Sequence, residues 1–520
     1  MDILRKSALV ASVAVVGLLG STTAAADESG VWNSAGGDLQ NTRFQQSEHK
    51  VKVSNVHTLA PKWAFTTAGD VSATPAVDGD RVYFPDWGGY LYAVDRDTGQ
   101  LVWRTSIADA TGIAGDKARN TPAISGNTLV VGAQGPFFGS GRVLAYNKRT
   151  GALLWQTVVD PHIAAIITQS ATIYNGRVYV GTSSREETLA AVVDGYPCCS
   201  FRGAMLALDL KTGAILWNTA MVPPGYSGGA VWGSSPAIDP ARGQLYIATG
   251  NNYSVPQPVL DCVRDAGDDP IGRAACLPAD DHFDEIMALD LVTGAIRWAT
   301  RAMPYDAWTV DCLPFIGDGD TCPDPAGPDY DFGQAPALFT VKTPSGHRDL
   351  VGAGQKSGQY WAVEPDTGAV VYTTQAGPGG VAGGLQWGSA VDGKRVYTAD
   401  ANSNVKPWEM PDGSIVTSGM WSGLDAVTGA LLWQTAPPHG GGTSGPATTA
   451  NGVMFGCSLD PSGYMYALNG ATGAVLWEFN SGGSCLSGAA ISNGEVYWGS
   501  GYSNFGFGTP NNKLYAFALR

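Results

Sequence analysis

Eight cysteines and six histidines have the widest chemical reach in this 520-residue chain, and their spacing limits what they can do. No C-x-x-C-H occurs, so the chain carries no c-type haem attachment motif. No C-x-x-C pair or Cys/His cluster argues for a structural zinc site. The histidines fall into no Ser-His-Asp arrangement, which leaves a hydrolase reading without support. Oxidation of the cysteines is the chemistry that remains. Arg5 and Lys6 precede an apolar stretch from Ala8 to Leu19, and small residues end at Ala24, Ala25 and Ala26 before Asp27. That layout is a secretory signal peptide over residues 1–26, and its apolar run is shorter than the roughly 20 residues a membrane span needs. Export, to the periplasm or beyond, allows disulfides to persist. Positions suggest Cys198 with Cys199, Cys262 with Cys276, Cys312 with Cys322 and Cys457 with Cys485, although spacing alone leaves connectivity open. Adjacent α-carbons lie ~3.8 Å apart across a trans peptide, below the ~4.4 Å usual for a disulfide, so a Cys198–Cys199 bond would be strained. Strain of that kind tends to mark a site that uses rigidity.

The elements that must position such groups are repeated. LYAVDRDTGQLVW, ending at Trp103, recurs as VLAYNKRTGALLW, MLALDLKTGAILW, IMALDLVTGAIRW, YWAVEPDTGAVVY, SGLDAVTGALLW and MYALNGATGAVLW. Each copy is an alternating strand, a Thr-Gly turn and a second strand closing on an aromatic residue four positions after the glycine. Glycine suits a turn position with positive φ, and alternation puts the aromatic on a buried face. Upstream of the copies stand further strand pairs with Asn-Gly or Asp-Gly turns, such as NTPAISGNTLVVG and SGAAISNGEVYWG. Four strands per unit in series describe an all-β propeller. The last unit lacks its closing strand, and an orphan strand, LAPKWAFTT around Trp63, stands near the beginning. Joining the two predicts eight four-stranded blades in a single domain over residues 27–520, with an N-terminal strand completing the last blade.

Composition agrees with this and excludes some partners. The chain has 69 Gly, 31 Pro and 16 Trp with only 15% charged residues, which fits tight turns around a tryptophan-rich β core. With 46 acidic against 31 basic residues the net charge is -15, so nucleic acid would be repelled. Some of the glycine-to-glycine intervals between repeats are much longer than others, and the extra length belongs to loops, where functional residues concentrate.

The TGxxxW repeats resemble the tryptophan-docking motifs of the eight-bladed pyrroloquinoline quinone (PQQ)-dependent alcohol dehydrogenases, and the polyvinyl-alcohol-dehydrogenase type looks most similar. A non-catalytic outer-membrane assembly scaffold shares this propeller style, so the site must carry the function. The resemblance implies metal ligation by Glu186 in GTSSREE and Asn251 in IATGNNY. A carboxylate with an amide oxygen is hard-cation chemistry, suited to Ca²⁺, with a lanthanide as the second candidate. Trp232 in VWGSSPAID resembles the indole floor beneath the quinone. Lys356 in GQKSGQYWAVE matches the cation that contacts the quinone oxygens, and Arg119 in ARNTPA the arginine near a cofactor carboxylate. Such cations are required, because PQQ brings three carboxylates into an acidic protein. Thr168 and Ser183 fit polar contacts to the cofactor, and Cys198–Cys199 resembles the vicinal disulfide that covers the quinone, although it falls later in the chain than usual.

The general base is harder to place by resemblance. Aligned on Trp308 of MPYDAWTVDC, the usual aspartate position holds Thr309, which cannot act as a carboxylate base. Asp306 lies three residues earlier, and Asp311 falls where lanthanide-dependent members place an extra acidic ligand; Asp306 is the preferred base. The activity so implied is oxidation of an alcohol, such as polyvinyl alcohol or another secondary alcohol. Its electrons would pass to a separate acceptor such as a cytochrome c. The alternative is a propeller scaffold for protein assembly at the cell envelope.

Overall fold

Tryptophan indoles reaching from blade to blade hold the ring together. The computed structural model describes residues 30–135, 139 and 141–520; the signal peptide expected over residues 1–26 lies outside them. Eight four-stranded antiparallel sheets follow one another around an axis, as the repeats require. The first runs Ala76–Asp78, Arg81–Pro85, Tyr90–Asp95 and Leu101–Ser106 from the centre outwards. The last is closed by the orphan strand Leu59–Thr66, which pairs antiparallel with Lys513–Leu519 from Leu59 opposite Leu519 to Thr66 opposite Lys513. Joining the two ends of the chain in one sheet leaves the ring without an open seam.

The closing aromatic of each blade donates a hydrogen bond to a backbone carbonyl of the next. Trp63 reaches Arg96, Trp103 reaches Lys148, Trp155 reaches Leu210 and Trp217 reaches Leu291. Trp298 reaches Pro365, the Tyr372 hydroxyl reaches Ala426, Trp433 reaches Gly470, and Trp477 reaches Leu59 to complete the circle. The turn glycine meets two demands at once. Gly213 has φ +72°, and a Cβ there would sit 2.5 Å from Cε3 of Trp155 and 2.6 Å from Oγ1 of Thr157. Replacing Gly213 with Ala should therefore cost about 2 kcal/mol or more, from the positive φ and the overpacking together. A urea unfolding midpoint equal to that of the wild type would show that the indole and the turn move apart freely.

The innermost strands of a propeller leave unpaired backbone groups facing the axis, and such groups need partners. The segment after residue 30 supplies them. Trp32 pairs with Val77, while Asn33, Leu39, Gln40, Thr42 and Arg43 offer their carbonyls to Ile124, Ile238, Leu338, Val391 and Thr449. Six blades are thus stitched to one strap, which plugs the axial channel. Arg43 sits fully buried in it, with its guanidinium on the carbonyls of Ala35 and Trp387.

All four suggested cysteine pairs are bonded, and no described cysteine is free. The Cys198–Cys199 peptide is cis, with α-carbons 3.0 Å apart, where the sequence reading assumed a trans bond. Among the described residues no helix is long and apolar enough to cross a membrane.

Candidate functional site

Segments that enter the innermost strands and segments that follow the second strands converge above the strap on a cavity of about 770 Å³. Arg119, Thr168, Ser183, Trp232 and Lys356, from five separate segments of which one is the short strand Ser183–Ser184, all line it. These are the positions expected to hold the cofactor, and the ring brings them together from across more than two hundred residues. The Thr168 hydroxyl donates to the Trp232 carbonyl at 3.1 Å and to Ser183 at 3.4 Å, tying three of them to one another.

Trp232 presents a flat apolar wall whose edge is fixed. Its indole N–H donates to Oδ2 of Asp331 at 2.7 Å, its ring meets Trp387 edge-on at 5.2 Å, and the Lys356 ammonium stands 5.6 Å from its centroid. Arg119 lies over Trp387 at 4.3 Å, with Trp87 at 5.4 Å and Tyr502 at 5.9 Å. Arg185 lines the same space. The cavity is therefore walled by aromatic rings and bordered by three cations, within a chain of net charge -15. It suits a flat, anionic, aromatic ligand.

Beneath Lys356 lies an acidic cluster that sequence reading largely missed. Lys356 pairs with Asp329 at 2.8 Å and Asp331 at 2.6 Å. Asp306 and Asp284 are fully buried next to them. Asp306 accepts the backbone N–H groups of Asp329 at 3.1 Å and Tyr330 at 2.6 Å. Asp329 and Asp331 stand in PDYDFGQAP, and their one-residue spacing just before a strand was the available signal.

Burial pushes Asp306 up to about 7, against the pull of those two N–H groups. Burial raises Glu187 to about 8 despite Lys356, and it lifts Asp284 and Asp329 well above the carboxylate range. Asp38, Asp281 and Asp400 are each raised to about 6 by burial. In every case the native state keeps its proton to a higher pH than the unfolded chain, so stability present at low pH is lost as pH rises through the native values. Without a bound cation, unfolding free energy should fall between pH 5 and 8 by at least ~1.4 kcal/mol, the worth of one pKa unit. Asp306→Asn should flatten that slope; a profile that rises across the interval would contradict the charge state assigned to the cluster.

Four expected residues, Asp311, Glu186, Cys198 and Cys199, sit elsewhere. Asp311 does not line the cavity: its carboxylate accepts the N–H groups of Gly319 and Thr321 and the Thr321 hydroxyl, inside the Cys312–Cys322 loop. Those bonds hold it below the usual carboxylate range despite desolvation, as a loop brace would be. Glu186 is fully buried and turned away from the cavity, while Glu187, its neighbour, lines it. Cys198–Cys199 is set behind the wall, where Cys199 packs on the cluster of Ala165, Phe201, Ala230 and Tyr253, with Trp232 at its margin.

Whether a hard cation would fit is tested by the oxygens that lack partners. Asn251 donates its amide to the carbonyls of Asn252 and Trp308 at 3.0 Å each, and its buried Oδ1 receives no hydrogen bond. The Thr309 hydroxyl is likewise buried and unmatched, while the buried Asp284 carboxyl has the Asp306 carboxyl as its partner. Among the described residues no three His, Cys, Asp or Glu side chains converge as a ready-made metal centre. A cation here would thus take mixed donors, carboxylate and amide oxygens with some from a ligand.

A family profile described as outer membrane protein assembly factor BamB matches residues 24–300 and 356–516. A polyvinylalcohol dehydrogenase of Sphingopyxis sp. (strain 113P3) is 30% identical, over 94% of this chain and 76% of its own length. A polyvinylalcohol dehydrogenase of Pseudomonas sp. is 29% identical over 91% and 73%. Among solved structures, the quinohemoprotein alcohol dehydrogenase of Comamonas testosteroni superposes with a TM-score of 0.69 at 18% identity, covering 94% of this chain and 80% of its own, which shows a shared fold.

Proposed function

This chain belongs to the quinoprotein alcohol dehydrogenase family, of the polyvinyl alcohol dehydrogenase type, and from that premise we propose that its cavity binds PQQ with a hard cation and oxidises an alcohol to the carbonyl. One observation carries the reading: an aromatic wall, Lys356, Arg119 and an aspartate edge meet in a single cavity large enough for a tricyclic acid. A scaffold for protein assembly, the reading suggested by the description of the family profile, has no use for buried ion pairs facing an interior space.

PQQ, when bound, supplies the two-electron acceptor, and the cation polarises it. The chain's own residues do the rest. The Trp232 ring offers one flat face, and its orientation is held by Asp331. Arg119 and Lys356 offset the carboxylates of an anionic ligand, while the hydroxyls of Thr168 and Ser183 bond at its rim. Asn251 Oδ1 faces no donor and is available to a cation. Asp331 is the aspartate that lines the cavity, so the substrate's hydroxyl proton goes to its carboxylate; Asp306, enclosed beneath, supports the cluster and does not touch the substrate.

The rest of the wall mixes the small residues Ser403, Ser418, Gly419 and Gly440 with Val405, Leu459 and Leu486, and it leaves room for an alcohol chain. We place the protein in the periplasm or outside the cell, with electrons passed to a separate carrier such as a cytochrome c. The direct test adds PQQ with Ca²⁺ or a lanthanide to the purified protein and follows dye reduction with primary, secondary and polymeric alcohols. Dye reduction that needs both additions is expected. Its absence for every alcohol would remove the enzyme reading.

A further inference from the structure

Glu186 and Glu187 open the helix Glu186–Val192 side by side, yet they point into different environments. Consecutive helical residues are turned by about 100°, so two neighbours can serve two sites. Glu186 has no solvent exposure. Its carboxylate accepts the N–H of Ser200 at 2.9 and 3.0 Å and that of Phe201 at 2.7 Å. It also accepts the Tyr196 hydroxyl at 3.2 Å, and Nε2 of His162 lies 3.5 Å away. His162 in turn contacts the Ser200 hydroxyl at 3.0 Å. All of the loop donors flank Cys198–Cys199, so a single carboxylate gathers both sides of the disulfide.

A carboxylate has about four acceptor sites, and here they are filled. A metal at Glu186 would have to displace the Ser200 and Phe201 N–H groups, and the Phe201 N–H would be left buried and unmatched. Glu187 differs on each count. It lines the cavity, near Lys356 and Asp331, and receives no hydrogen bond among the described residues.

We propose a division of labour: Glu186 is a positioning residue that locks the vicinal disulfide loop, and Glu187 is the glutamate that a cation beside the cofactor would use. The first half stands on the hydrogen bonds alone. The second half rests on the quinoprotein reading. The lock matters to the site because Cys199 and Phe201 back Ala230 and Tyr253, which form part of the cavity wall beside Trp232. Loosening the loop would let that wall shift, although Glu186 never touches the ligand.

Two readouts separate the roles in the full-length mature chain. Hydrogen exchange reports the Ser200 and Phe201 amides without any ligand. Terbium(III), titrated into protein loaded with PQQ and read by tryptophan-sensitised luminescence, reports the cation site. Glu186→Gln should speed exchange of those two amides roughly 10-fold or more, as expected when charge-assisted bonds are lost, and leave terbium affinity within about 3-fold. Glu187→Gln should do the reverse, with terbium binding weakened roughly 10-fold or more and exchange unchanged.

Loss of terbium binding in Glu186→Gln with exchange unaltered would overturn the assignment and return Glu186 to the metal. Should that variant fail to fold, Tyr196→Phe removes one donor of the same lock, and unchanged exchange there would equally count against it. A wild-type protein that binds neither PQQ nor terbium defeats the quinoprotein reading and the role of Glu187, while the exchange result still decides the lock.

Discussion

Asp331→Asn is expected to lower kcat by roughly 1000-fold, within the range that one positioned acid–base group contributes. Asparagine keeps the shape and an oxygen able to accept the Trp232 indole N–H, so the wall should stay in place. What it loses is the capacity to take a proton. Lys356 keeps Asp329 as its counter-charge, so the unfolding midpoint should fall less than in a Lys356 variant while the affinity for PQQ changes little, and that separates a chemical role from a structural one. Asp329→Asn is the control: Asp329 is almost wholly enclosed and bonded to Lys356, without lining the cavity. If Asp329→Asn lost activity and Asp331→Asn kept it, the proton acceptor would be Asp329, with Asp331 reduced to orienting the indole.

Lys356→Met should be the most destabilising single change in the site, by about 3–5 kcal/mol, because removing one partner of a buried pair strands the other charge. Here it strands two, Asp329 and Asp331, within a cluster that also holds Asp284, Asp306 and Glu187. The methionine fills most of the space left by the lysine stem, so cavity formation adds little. The sign with pH follows from the raised carboxyls: protonated at pH 5, they tolerate the loss of the lysine better than at pH 8. Unfolding free energies of wild type and variant measured at both pH values test this. An equal deficit at the two would mean that Lys356 acts through packing and not through charge. PQQ affinity should fall as well, since the cation nearest the Trp232 ring is gone.

The ring was open to reading because it is written seven times. A Thr-Gly turn followed four residues later by an aromatic is a local pattern, and the structure shows why both ends are needed, as Gly213 and Trp155 occupy each other's space. The orphan strand near Trp63 was equally legible, since a missing strand at one terminus and a spare one at the other have one economical solution. Site residues were harder. Arg119, Thr168, Ser183, Trp232 and Lys356 were found by resemblance to the family's motifs; Ser183 and Lys356 follow second strands, whereas Arg119, Thr168 and Trp232 precede innermost strands. Asp331 was not found, although it occupies a loop equivalent to those last three, because the Cys312–Cys322 excursion separates it from Trp308 and hides its relation to the MPYDAWTVDC segment.

Blade number and closure were thus set by the order of residues along the chain, because strand alternation, turn chemistry and docking repeat in every unit, whereas the cysteine partners that spacing left open were fixed by the folded molecule. Which of two adjacent glutamates faces the cavity, and which aspartate borders it, was decided by the folded molecule. Those choices depend on helix phase, on backbone donors fourteen or fifteen residues away and on a lysine from a separate loop, and a one-dimensional pattern contains none of these.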